Sequence, residues 1–322
     1  MLHGQEIYLF FYRFGISGMW GIIICNIIMA LTIYKTLNIV NEKEIYSYKE
    51  FLNSIFKDRK FLINITNIII NIFLCATFFI MISGFGTYLS QAFEINKIIG
   101  SSILAIISYF IFLKNIEGIT KINSIIIPLL IVIILIIGMK NIFMIDINQI
   151  GKNISQVRSG FWLIQSILYA SYNLILLIPV LLNLKKLLKS RKQMMTISIE
   201  VGIVMNLLSI LIYLLLVNVN VDFKQLEMPI IYVISNNFGN FKFIYGIIIL
   251  IAIFTTAISV GIGFLNNTCK DRKELVKSAK ILCILSVMIS PIGFSNLVKV
   301  LFPLFGYLGL IQIIGIFAEI IR

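Results

Sequence analysis

Nine times along its 322 residues the chain turns apolar for long enough to cross, or nearly cross, a lipid bilayer, and polar loops separate the runs. A spanning helix needs about 20 apolar residues at about 1.5 Å of rise each. In hydrocarbon the backbone must pair all its polar groups internally, so runs of this length read as helices packed side by side. Hydrophobic residues make up 59% of the sequence and charged residues only 13%, where soluble domains carry about 25%. The fold class is therefore an all-α polytopic membrane protein. The full spans are expected at about residues 14–34, 61–89, 98–113, 122–139, 161–182, 196–217, 241–264, 279–294 and 301–321. Residues 1–12, MLHGQEIYLFFY, are too short to cross and form a partial first helix. Pro291 and Pro303 are expected at the bend between the last two spans, and the loop at 35–60 is expected to hold a short amphipathic helix.

The net charge of +13 does not point to nucleic acid, because the basic residues fall in the loops between spans. Most of the 27 Lys and Arg gather on alternate loops, such as 185–192 (KKLLKSRK) and 269–273 (CKDRK). Cytoplasmic loops collect such charge, so these loops and the C-terminus are expected inside a bacterial plasma membrane. Cys25, Cys75, Cys269 and Cys283 form no C-x-x-C pair and imply neither a disulfide framework nor a zinc site. No cationic leader with a cleavage site is visible at the start.

One span breaks the apolar pattern. Residues 161–182, FWLIQSILYASYNLILLIPVLL, carry Gln165, Ser166, Tyr169, Ser171, Tyr172 and Asn173 at mid-depth. Two readings fit: hydrogen-bonding glue between neighbouring spans, or a helix that loosens at its centre and offers polar groups to a cargo. Glu6, beside an apolar half-helix, either faces a polar cavity or sits in water at a frayed end; burial at mid-bilayer costs about 2.5–3.5 kcal/mol. His3 is the only histidine. Thr255, Thr256 and Ser259 lie within about one helical turn. Their hydroxyls either complete a sodium shell or bond back to their own helix. No hydrolase constellation or metal cluster is visible, so an enzyme is not expected, and no cofactor beyond a coupling Na+ or H+.

Gly4-Gln5-Glu6-Ile7, Phe10-Phe11 and Arg13-Phe14-Gly15 resemble the first-helix signature of the YkvI-like bacterial membrane proteins. These belong to the amino acid–polyamine–organocation superfamily, with the LeuT fold. The resemblance covers essentially the whole chain. It implies ten helices as two inverted five-helix repeats, here 1–139 and 161–322, with helices 1 and 6 broken at the centre. On that map Glu6, following Gly4 and Gln5, sits just after the break in helix 1, and Tyr169, Ser171, Tyr172 and Asn173 surround the break in helix 6. Together they are the implied solute-binding residues. Thr255, Thr256 and Ser259 fall on helix 8, where sodium-coupled relatives bind the ion. Residues 228–234 match the short external lid between helices 7 and 8. The Gly/Ala-rich first half of helix 1 is missing ahead of Gly4, which implies a start placed too late or a truncated frame.

The expected function is ion-coupled secondary transport of a small polar solute, an amino acid or amine, with helices 1, 2, 6 and 7 rocking against 3, 4, 8 and 9. The expected partners are the lipid bilayer and that solute, with no nucleic acid. The alternatives are a ligand-sensing subunit related to germinant receptors and an inactive transporter remnant.

Overall fold

A computed structural model of the protein describes residues 4–57, 59–114, 119–143, 160–183, 190–218 and 226–319. All regular structure among them is helical. A six-residue helix α1 (Gln5–Phe10) and a 3-10 turn (Tyr12–Phe14) precede α2 (Ile16–Glu42) and a short α3 (Tyr48–Phe56). Then come α4 (Lys60–Phe93), α5 (Lys97–Lys114), α6 (Ile119–Phe143), α7 (Trp162–Asn183) and α8 (Arg191–Val217). A short α9 (Pro229–Asn237) leads to α10 (Gly239–Thr268), α11 (Arg272–Ile289), a 3-10 turn (Ser290–Ile292) and α12 (Phe294–Ala318). Among the described residues nine helices are long and apolar enough to cross a membrane, as the hydropathy pattern implied. His3, residues 144–159 and residues 184–189 of the basic loop lie outside the described residues.

Local signals set several boundaries. The hydroxyl of Ser47 accepts from the backbone N–H of Glu50, and the Glu50 carboxylate accepts from that of Tyr46, a capping box that starts α3. Asp271 and Glu274 do the same for α11, and Ser190 and Gln193 for α8. Helix α3 buries Phe51, Leu52, Ile55 and Phe56, so the short amphipathic helix expected in this loop is present. Pro229 opens α9, where its missing N–H costs nothing. One expectation is corrected here: Pro303 lies inside α12, and only Pro291 is in the turn before it. Spanning helices tolerate such a proline because other groups satisfy the freed carbonyl.

Several buried hydroxyls, those of Thr32, Thr66, Ser108 and Ser198 among them, bond the carbonyl four residues back and so bring no unpaired polar group into lipid. Exposed side chains on the spans are large and apolar: Ile68 and Ile72 on α4, Ile125 and Ile127 on α6, Phe243 and Ile244 on α10. These are the faces a bilayer covers.

The chain forms two compact units. The first takes the chain up to Leu9, from Asn71 through α6, and from Leu211 to Val300. Within it α5 packs on α11, α6 on α10, and α9 on α10. The second takes Phe10 to Ile70, α7 with the start of α8 to Ile210, and the chain from Leu301. Within it α2 packs along α7. Gly21 makes this approach possible, since a Cβ there would come within 2.6 Å of the Ser166 hydroxyl.

Candidate functional site

The first unit gathers a polar cluster around Glu227, in the segment just before α9. The carboxylate is half-buried and receives the Lys97 ammonium from the start of α5 and the Thr87 hydroxyl (2.9 Å) from the end of α4. It also accepts the backbone N–H of Phe294 at 2.8 Å. Phe294 is the first residue of α12, and the preceding Gly293 has no side chain with which to cap it. Glu227 therefore supplies the cap from a distant segment, and the positive end of the α12 dipole favours its charge. Gly293 has φ +91°, and a Cβ there would come within 3.2–3.4 Å of the Glu227 carboxylate. Glycine fits both constraints.

One residue past Phe294, the Ser295 hydroxyl accepts from Gln5 Nε2 at 2.6 Å. Gln5 and Glu6 are both buried. The Gln5 carbonyl Oε1 has no hydrogen-bond partner among the described residues, which makes it a buried acceptor open to a donor. Gly4 packs against Ile230 of α9. The Ser83 hydroxyl reaches the Ser290 carbonyl at 3.2 Å, in the turn before α12. The start of α1, the end of α4, the start of α9 and the start of α12 thus meet in one polar patch of the first unit.

Tyr169, Ser171, Tyr172 and Asn173 belong to the second unit. Tyr169 meets Phe11 edge-on at 4.8 Å and Tyr172 at 5.3 Å, while Tyr172 stacks on Phe302 at 4.7 Å. Phe10 touches both tyrosines. The result is an aromatic nest lined by α1, α7 and α12. The Ser171 hydroxyl is fully buried and has no hydrogen-bond partner among the described residues.

The expected loosening of this helix is not found. Helix α7 runs without interruption from Trp162 to Asn183. Asn173 donates to the Tyr169 carbonyl and Ser166 to the Trp162 carbonyl, both at 2.8 Å, so these side chains decorate intact helical turns. What α7 can offer a solute is side-chain chemistry.

Thr255, Thr256 and Ser259 sit on α10 in the first unit. Thr255 and Thr256 donate to the Ala252 carbonyl at 3.2 and 2.7 Å, and Ser259 donates to the Thr255 carbonyl at 2.8 Å. Their protons point into their own helix, which leaves the oxygen lone pairs as the groups a cation would meet.

The chain is similar to two proteins of Bacillus subtilis (strain 168). One, named as an uncharacterized membrane protein, YkvI, is 26% identical over 312 residues, covering 95% of this chain and 88% of the relative. The other, named as an uncharacterized protein, YyaD, is 25% identical over 317 residues, with the same two coverages. No family model matches the sequence, and no solved structure matches it. The first relative's name agrees with the nine membrane-crossing helices seen here.

Sequence reasoning passed over Glu227, Lys97 and Ser295. Two signals were there: an acid directly before Met228-Pro229, and a glycine ahead of a long apolar helix with no capping side chain.

Proposed function

We propose that this multi-pass membrane protein is a secondary transporter of a small polar solute, an amino acid or amine, driven by a proton or sodium gradient. The observation that carries the reading is the make-up of the two compact units. Each draws helices from both halves of the sequence: α2, α7 and most of α8 belong to one, and most of α4 with α5, α10 and α11 to the other. In a LeuT-like scheme of ten helices these are helices 2, 6 and 7 on one hand and 3, 4, 8 and 9 on the other. That is the grouping in which alternating access moves two bodies. Residues 5–9 fall with the second group and Phe10 with the first, so the partial first helix is shared. The division supports the inverted repeats 1–139 and 161–322 and the kinship with the amino acid–polyamine–organocation superfamily.

In this reading Gly4, Gln5, Glu6, Tyr169, Ser171, Tyr172 and Asn173 are the residues that bind the solute. The unpaired Gln5 carbonyl and Ser171 hydroxyl are suited to an ammonium donor and a polar acceptor respectively. Glu6 carries the coupling proton, or Thr255, Thr256 and Ser259 take the sodium ion. The protein moves a solute and is not an enzyme. The bias of basic loops supports a bacterial plasma-membrane location with the C-terminus inside.

The test is uptake of radiolabelled amino acids and polyamines into proteoliposomes under an imposed proton or sodium gradient. Saturable accumulation that collapses with the gradient is expected, and Glu6→Gln abolishes a proton-driven component while leaving exchange. Saturable binding with no net flux of any solute contradicts the proposal.

A further inference from the structure

In the first unit a groove of about 640 Å³ lies between α5 and α11, within the range of roughly 300–1,000 Å³ usual for ligand sites. Its floor is made of small residues, Ala105 and Cys283, both buried. Its walls are large and open: Ile106 and Phe110 of α5 are each 57% exposed, and Ile284 and Met288 of α11 are 50% and 70% exposed. The slot is mostly apolar, and its one charged lining residue is Lys280, the first groove residue of α11, with Met288 about 12 Å further along the helix; Ser102 of α5 adds a hydroxyl. Tyr109 adds a phenol to the lining.

The charge pattern continues the groove. Lys273, Lys277 and Lys280 follow the spacing i, i+4, i+7 and then pass into Ile284 and Val287, so one face of α11 carries a cationic stripe that runs into an apolar slot. Lys270, Arg272, Lys273, Lys277 and Lys280 are all exposed. The two acids among them are engaged elsewhere: Asp271 caps the Glu274 N–H, and Glu274 accepts the Lys270 N–H. No carboxylate pairs with Lys280 among the described residues. The positive end of the α11 dipole adds to the same field. Cations stacked at the mouth of an apolar groove on a membrane-crossing helix are the complement of an anionic phospholipid.

We propose that this groove is a binding site for one anionic phospholipid, its phosphate held by Lys280 and Lys277 and one acyl chain lying over Ala105 and Cys283. The proposal needs only the membrane-spanning character of the chain and stands apart from the transport reading. A lipid that merely surrounds the protein makes no distinction of headgroup. A site built from two exposed lysines favours an anionic headgroup by about five-fold per lysine.

The test uses the full chain with Trp20 and Trp162 replaced by Phe and a reporter, Ile106→Trp, at the groove wall. The protein is reconstituted into phosphatidylcholine vesicles that contain brominated phosphatidylglycerol or brominated phosphatidylcholine. The brominated anionic lipid is expected to quench the reporter at a mole fraction several-fold lower than the zwitterionic one. Lys280→Gln, at an exposed position that packing does not need, shifts the anionic curve toward the zwitterionic one. A second reporter, Ile125→Trp on α6, shows no headgroup preference. Equal quenching by the two lipids at Ile106→Trp overturns the proposal. So does a preference that survives Lys280→Gln, or one that is equally strong at Ile125→Trp.

Discussion

The carboxylate of Glu227 accepts the backbone N–H of Phe294 at 2.8 Å, across 67 residues of sequence. One side chain thereby caps the last membrane-crossing helix and fixes the segment before α9 to it. The Lys97 ammonium and the Thr87 hydroxyl complete the carboxylate's shell, so a single acid ties four parts of the first unit together.

Removing that acid should be costly. Glu227→Ala loses a helix cap worth about 0.5–2 kcal/mol and leaves Lys97 without its counter-charge. Thermal unfolding in detergent is expected to show a clear drop in Tm. A double-mutant cycle with Lys97→Met should return a coupling of at least about 0.5 kcal/mol. Strict additivity would show that the pair does not act together.

Gly293 tests the same patch from the backbone side. Gly293→Ala forces a side chain into a φ of +91° and against the Glu227 carboxylate. The expected loss is about 1–3 kcal/mol, the range for strained positions. An unchanged Tm would contradict the geometry.

The spans were legible in the sequence because a bilayer imposes a length and a polarity that local composition records. The amphipathic α3 was legible too, since its apolar residues recur at helical spacing next to a capping box. The Glu227 cluster was not. Its donors come from positions up to 140 residues away, and no local pattern announces such a meeting. The intact course of α7 was hidden for another reason. Asn173 and Ser166 look like groups that demand an outside partner, yet each finds a carbonyl in its own helix. Pro303 likewise marks a bend in soluble sequences but rides inside α12 here.

The hydroxyls of α10 separate stability from ion binding. The hydroxyls of Thr255 and Thr256 both donate to the Ala252 carbonyl, so isosteric Thr→Val changes leave that carbonyl its helical N–H. Thr256→Val is expected to move Tm by less than the equivalent of about 1 kcal/mol. A loss of sodium-driven uptake at unchanged Tm then reports on the ion, and a large drop in Tm would contradict the helical bonding seen.

Tyr48 gives a pH prediction outside the spans. Burial pushes its hydroxyl above the ordinary value of 10.0, and the hydrogen bond it accepts from Gln312 Nε2 at 2.9 Å opposes that shift in part. A group whose folded value is raised contributes stability that is complete below about pH 10 and declines as pH climbs toward the folded value. Tyr48→Phe should therefore flatten the alkaline loss of stability above about pH 10. It should also cost about 1 kcal/mol at neutral pH by orphaning the Gln312 amide. Identical alkaline profiles for the two proteins would contradict this.

The proposed transport requires the two compact units to move as bodies while a solute is carried. Pulsed electron spin resonance on a cysteine-free background tests it, with labels at lipid-facing sites. Ile125 with Phe243 reports on the first unit, Leu31 with Ile203 on the second, and Ile125 with Ile203 on the pair of units. On adding sodium or lowering pH, the distance between units is expected to shift while both internal distances hold. A change in the internal distances, or none in the distance between units under any ion or solute, would contradict the account.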